Sequence, residues 1–165
     1  PVDSTLGFTA AGTVKIYTRQ IANSKIRGKS LTIASTNFSG SNAIVDDNKI
    51  YFPDVDNKII ALNGKNGKKI WEHQVQEGIA GKRGLLLWKK NENDTAGKIF
   101  FTDNRKYLFS INSLNGLPIK SFGDNGKVKV GLTPLPPIIY KNEVILITTD
   151  NVIKSFDLNS KFNSE

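Results

Sequence analysis

The stretch Asn57-Lys58-Ile59-Ile60-Ala61-Leu62-Asn63-Gly64-Lys65-Asn66-Gly67-Lys68-Lys69-Ile70-Trp71 decides the architecture of this chain. Two short apolar runs flank an Asn/Gly/Lys turn, the pattern of antiparallel strands joined by a tight reversal. Upstream, Ile44-Val45, the Asp46-Asp47-Asn48 turn and Ile50-Tyr51-Phe52 add a hairpin, and a turn over 54–57 leads into Lys58. The unit therefore reads as four strands in an antiparallel meander.

The same order returns twice. Gly97-Lys98-Ile99-Phe100-Phe101 is followed by Arg105-Lys106-Tyr107-Leu108-Phe109-Ser110-Ile111-Asn112 and Asn115-Gly116; Asn142-Glu143-Val144-Ile145-Leu146 is followed by Asn151-Val152-Ile153-Lys154-Ser155-Phe156-Asp157. The equivalent apolar positions Leu62, Ile111 and Phe156 lie 49 and 45 residues apart in number. A period of roughly 40–50 residues, each unit rich in short strands, is the signature of propeller blades. No segment holds a 3.6-residue apolar period over three turns, so the fold class expected is all-β, a partial β-propeller of three to four blades. The units fall at 42–78, 84–122 and 132–165, the last incomplete, with 1–40 an irregular or partial blade. The second unit is expected to end with a strand at Ile119-Lys120. Three good copies and a ragged fourth sit at the lower limit of about four blades for a closed ring. The chain then reads as part of a larger propeller, or as an open one completed by another copy of itself. Pro1 in place of a methionine leads to the expectation that the natural start, and any signal peptide, lies upstream.

Composition narrows the function. The 165 residues include no cysteine, which excludes a disulfide framework and thiolate metal sites. No run approaches the ~20 apolar residues of a membrane-spanning helix. The net charge of +8 invites nucleic acid as a partner, but the lysines are scattered over turns and strand ends, where they solvate the surface and blunt sheet edges. Nucleic-acid binders concentrate charge on one face among stacking aromatics. His73 is the single histidine, so a zinc site or a Ser-His-Asp set has no second member to build on. The Asp/Asn turns at 46–48 and 54–57 lack the Gly and distal Glu of a calcium loop and fit turns that bond their own backbone. Gly123-Asp124-Asn125-Gly126 precedes a strand, so no helix dipole stands behind it to cradle phosphate. Trp71 and Trp88 are expected to fill core between blades.

The repeat at 56–71 resembles the PQQ-type propeller repeat, in which Leu-Asp/Asn is followed by a Gly-Lys turn and a docking Trp. Scaffold proteins of outer-membrane assembly share this repeat with pyrroloquinoline-quinone (PQQ) dehydrogenases, so the repeat alone assigns no chemistry. Lys82-Arg83-Gly84-Leu85-Leu86-Leu87-Trp88 resembles the Arg-Gly-aliphatic segment of quinoprotein alcohol and glucose dehydrogenases. The segment 117–128 is similar to their Phe-Gly-x-x-Gly stretch between blades, and Leu132-Thr133-Pro134-Leu135-Pro136-Pro137 to their Thr-x-Pro-Pro strand entry. The resemblance implies an N-terminal portion of a periplasmic PQQ-dependent sugar or alcohol dehydrogenase, inactive on its own, with PQQ and calcium as the family's cofactors. It implies that Arg83 pairs with the quinone carboxylates, as a guanidinium does bidentately, and that Thr133 bonds the cofactor rim. The bland alternatives are an inter-blade ion pair of Arg83 with Asp103 or Glu77, and a Thr133 hydroxyl capping its Pro-rich turn. No catalytic or metal-ligating residue is assigned within the chain, because the family's catalytic Asp and calcium ligands fall in later blades. The chain departs from the alcohol dehydrogenases in lacking their vicinal cysteines before the arginine and the inserted loop with a cation-binding Glu. A non-catalytic scaffold propeller is the alternative function.

Overall fold

The computed structural model describes residues 43–54, 56–76, 78–80, 84–103 and 107–158 in full, and strands within 3–33 by their backbone. Arg83, Glu77 and the tail after Leu158 lie outside the described residues. All regular structure among the described residues is β, in four antiparallel sheets. The fold is a partial, unclosed propeller.

β1 (Asp3–Thr9), β2 (Thr13–Arg19) and β3 (Lys29–Ile33) form one sheet in that order, with Leu6 opposite Ile16 and Ile16 opposite Leu31. The segment that the repeat does not reach is thus stranded as well. The first full blade is β4 (Ile44–Asp46), β5 (Lys49–Pro53), β6 (Lys58–Asn63) and β7 (Lys69–Gln74). The second is β8 (Leu86–Trp88), β9 (Lys98–Thr102), β10 (Tyr107–Asn112) and β11 (Lys127–Lys129). The third holds β12 (Ile138–Tyr140), β13 (Glu143–Ile147) and β14 (Ile153–Asp157). The reversals follow the sequence: Asp47 and Asn48 both carry positive φ, 41° and 61°, as a two-residue hairpin turn requires.

One strand is not where the repeat places it. Ile119-Lys120 forms no ladder; Pro118 makes a lone bridge with Ile111, and Ile119 N–H donates to the Ser110 carbonyl at 2.9 Å. The chain then turns through 122–126 and returns as β11, opposite Tyr107–Phe109. Pro118 has no N–H to give a ladder. Gly126, at φ 92°, lets the turn fold back against it: a Cβ there would stand 2.8 Å from Pro118 Cβ. The Phe-Gly-x-x-Gly stretch is therefore part of the second blade, not a link after it.

Side-chain alternation builds the core. In β9, Ile99 and Phe101 face the first blade, while Phe100 faces the third. One cluster joins Tyr51, Ile59, Ala61 and Trp71 to Ile99, Phe101 and Ile111; the other joins Trp88, Phe100, Leu108 and Phe122 to Val144 and Leu146. The middle blade is buried on both faces, and each large side chain so buried stabilises the stack by about 1.5–3 kcal/mol.

Candidate functional site

The two joints between blades are made differently. Trp71, on β7, is buried against the second blade and donates its indole N–H to the Ser113 carbonyl at 3.0 Å. Its ring lies over Gly116, at φ 70°; a Cβ on that glycine would fall 2.6 Å from the ring. The second joint has no tryptophan in this role, because the chain has turned away at Pro118. Lys98 takes it over: its ammonium donates to the Leu158 carbonyl at 3.1 Å and stands 5.0 Å from the centre of the Trp88 ring. Ser113 and Leu158 occupy equivalent places, two residues beyond Ile111 and Phe156. Burial holds the Lys98 ammonium below its usual value, with Asp94 opposing. A further link ties the first two blades, where Lys89 reaches Asp46 at 2.8 Å and Asp47 at 3.2 Å. The hydrogen bond that it donates to Asp46 is the main reason that this lysine is held above its ordinary value, against some desolvation. Both lysines look like surface residues in the sequence.

Asn57 performs another task that the sequence did not announce. Its φ of 63° turns β5 into β6. Its amide donates to the carbonyls of Val75 and Gly78 at 2.7 and 2.8 Å, and its Oδ1 accepts the Ala80 N–H at 2.7 Å. The side chain thereby clamps the connector that leaves the first blade.

Of the residues singled out for a cofactor, Arg83 lies outside the described residues. Thr133 is half-buried at the entry to the third blade, where the adjacent Leu132 carbonyl accepts the Thr149 N–H at 2.8 Å. Its hydroxyl is shielded from solvent and has no hydrogen-bond partner, so it does not cap the Pro-rich turn. A buried hydroxyl without a partner costs about 1–3 kcal/mol, which makes it a place where a ligand atom would be welcome. Asp103 caps its own turn through the Tyr107 N–H at 2.7 Å. Among the described residues no group of three or more His, Cys, Asp or Glu could hold a metal ion, and no helix is long and apolar enough to cross a membrane.

A cleft of about 200 Å³ opens between β7 and the outer part of the second blade. Val75, Phe109, Ile111 and Pro118 make its apolar walls, and His73 and Lys127 its polar rim. Burial pushes the His73 imidazole below its ordinary value, opposed by a hydrogen bond to the Gly116 backbone. His73 also meets the edge of Phe101 at 6.3 Å. An imidazole that burial keeps from taking up a proton, set edge-on to Phe101 at the rim, suits packing more than proton transfer.

No curated protein matches the chain at the level of sequence. Among solved structures, BamB from Moraxella catarrhalis is similar over 98% of this chain and 47% of its own, with a TM-score of 0.64 and 13% identity. The computationally designed Ika8 protein matches over 97% of this chain and 47% of its own, at TM-score 0.60 and 13% identity. The quinohemoprotein alcohol dehydrogenase from Comamonas testosteroni matches over 77% of this chain and 20% of its own, at TM-score 0.51 and 18% identity. The chain thus spans about half the length of the first two and a fifth of the third; at these identities the likeness is one of fold. Residues 17–159 match the sequence model of the glucose/ethanol/alcohol dehydrogenase β-propeller domain. That match takes in most of the chain, which belongs to the PQQ family of dehydrogenase β-propeller domains.

Proposed function

We propose that this chain is a blade-forming segment of a periplasmic PQQ-dependent sugar or alcohol dehydrogenase, inactive alone. The observation that carries this reading is the family match over residues 17–159. The local structure supports it, since the segment resembling the dehydrogenases' Phe-Gly-x-x-Gly stretch folds into a defined turn at the outer edge of the second blade.

The residues present fit part of such a cofactor site. Thr133 has a buried hydroxyl with a hydrogen bond to give, at a blade entry, and Arg83 is proposed to pair with the carboxylates of the quinone. The calcium does not fit the described residues, which offer no cluster toward the six to eight oxygens it takes. PQQ, when bound, supplies the hydride-accepting quinone. This chain's own part is to position its rim, and the proton-accepting carboxylate is assigned to blades beyond it.

The test is dye reduction by the gene's full product with PQQ and Ca²⁺, with glucose and ethanol as substrates. Activity is expected there and not in residues 1–165 alone, and Thr133→Val should weaken PQQ binding by about 5–10-fold, the worth of one hydrogen bond. Activity of the isolated chain, or none in the full product, sinks the reading. A second reading, a non-catalytic propeller that scaffolds other proteins, is favoured by the tight turn 148–152. There Thr148 N–H donates directly to the Val152 carbonyl, leaving no inserted loop for a cation-binding Glu. Full-length protein that binds neither PQQ nor Ca²⁺ would select this alternative.

A further inference from the structure

We propose that the cleft between the first two blades is a binding site for a small aromatic carboxylate, with its ring against Phe109 and its charge on Lys127. The site is separate from the cofactor contacts proposed for Arg83 and Thr133 and does not depend on them.

The cleft exists because the second blade departs from the repeat. Trp71 closes the joint where its ring lies over Gly116. Beyond it, the fourth-strand place of the second blade passes from Pro118 through the turn at 122–126 to Lys127. A proline ring and Gly126, which has no side chain, leave about 200 Å³ open against His73 and Val75. Both walls are held in place before any ligand arrives. Val75 donates its N–H to the Asn57 carbonyl at 3.0 Å, and its own carbonyl accepts the Asn57 amide at 2.7 Å. Gly126 donates to the Phe122 carbonyl at 3.0 Å and accepts the Ser110 N–H at 2.8 Å. A cleft with fixed walls loses little affinity to ordering them.

The lining selects a flat apolar body. Half-buried Phe109 lies parallel to Phe101, with ring centres 5.0 Å apart, and Tyr107 meets it edge-on at 6.4 Å. A ligand ring extends this aromatic row, and ring pairs at such separations are favourable beyond the area they bury. A drug-sized ligand takes a pocket of about 300–1,000 Å³, so this cleft suits one ring with a short arm rather than a fused-ring system. Charge selects the polar end. Lys127 stands opposite Phe109 across the ladder, which puts its side chain on the same face. Its ammonium lies 5.2 Å from the centre of the Tyr107 ring, and among the described residues no carboxylate pairs with it. Among the described residues no acidic side chain lines the cleft, so a cation finds no partner there and an anion finds one. Asp124, just outside, is bonded to the Asn125 amide at 3.0 Å. The net charge of +8 adds a long-range attraction for anions.

Phenylacetate is the probe, with 2-phenylethylamine and acetate as controls, in ligand-observed NMR and calorimetric titration of the full chain. Phenylacetate should bind with a Kd on the order of 0.1–1 mM, and each control about ten-fold more weakly or worse. Lys127→Met keeps the stem beside Tyr107 and should weaken phenylacetate about 5–20-fold. Lys65→Met, an equal loss of charge in the turn before β7, should leave it unchanged. Lys127→Glu should reverse the order, so that the amine binds better than the acid. No binding of phenylacetate up to about 10 mM overturns the site. Equal binding of acid and amine overturns it too, as does a loss in Lys65→Met as large as that in Lys127→Met. Thr133→Val should not alter phenylacetate binding; a loss there would place the acid at the entry to the third blade and overturn the cleft. Far-UV circular dichroism checks the fold of each variant, and if those at Lys127 do not fold, the order of acid and amine in the unmodified chain still decides.

Discussion

Replacing Gly116 by alanine tests the first joint at its tightest point. The backbone there has φ 70°, and its N–H is tied to the Asn112 carbonyl at 2.8 Å, so it cannot relax freely. A left-handed conformation costs a non-glycine residue about 1–2 kcal/mol. The new methyl would also stand 2.6, 2.9 and 3.0 Å from indole atoms Cε3, Cδ2 and Cζ3 of Trp71. Ordinary carbon contacts lie near 3.5–4.0 Å, so the ring must retreat by about 1 Å. That retreat breaks the 3.0 Å bond to Ser113 and leaves its carbonyl buried without a donor, a loss of about 1–3 kcal/mol. The sum is about 2–5 kcal/mol, a melting shift of roughly 4–20 °C in a chain of this size. Trp71→Leu should cost about 2–4 kcal/mol by itself. In that background the clash is gone, and Gly116→Ala should cost only its backbone share of about 1–2 kcal/mol. Urea unfolding followed by far-UV circular dichroism reads all four proteins without depending on tryptophan emission. A coupling of about 1–3 kcal/mol is expected; additivity within about 0.5 kcal/mol would refute the docking argument.

Two further outcomes follow from the joints and the cleft. Burial lowers the His73 pKa in the folded chain, so the unfolded chain binds the proton first as pH falls; stability should be level above about pH 7.5 and decline as pH drops through the ordinary imidazole value near 6.5 toward the lower folded one. His73→Gln should flatten that slope in urea unfolding at pH 8 and pH 5.5, and a wild type that gains stability on acidification over this range contradicts the assignment. At the second joint, Lys98→Met keeps the stem over Trp88 and should cost about 1 kcal/mol, whereas Lys98→Ala uncovers the ring and should cost about 2–3 kcal/mol; equal losses would place the whole effect in the ammonium.

Most of the architecture was legible because it is local. Alternating runs such as Lys58–Asn63, and turns rich in Asn and Gly, carry their own geometry, and the repeat of Leu62, Ile111 and Phe156 needed only counting. The burial of Trp71 and Trp88 between blades also followed from the pattern. What the sequence hid depends on distant partners. Ile119-Lys120 looks as much like a strand as Lys69–Trp71 does, yet Pro118 and the turn at 122–126 send the ladder on to Lys127. Lys89 and Lys98 are indistinguishable from solvated lysines until the neighbouring blade brings Asp46 or the Leu158 carbonyl within reach. Asn57 reads as a turn residue, and its grip on Val75, Gly78 and Ala80 is invisible without the connector folded back onto it. For the proposed cofactor contacts, the resemblance named Thr133, and only the structure gave its hydroxyl a buried place without a partner.

The bond between Trp71 and Ser113 also bears on how the chain emerges during synthesis. The two residues are 42 positions apart. At about 5–20 residues per second, a ribosome needs roughly 2–8 s to deliver the carbonyl after the indole. Throughout that interval the newest blade has an aromatic side chain with no dock, and each later blade stays open until the next one arrives. A nascent propeller of this kind always carries one sticky leading face, which makes the speed of translation part of its defence against misassociation.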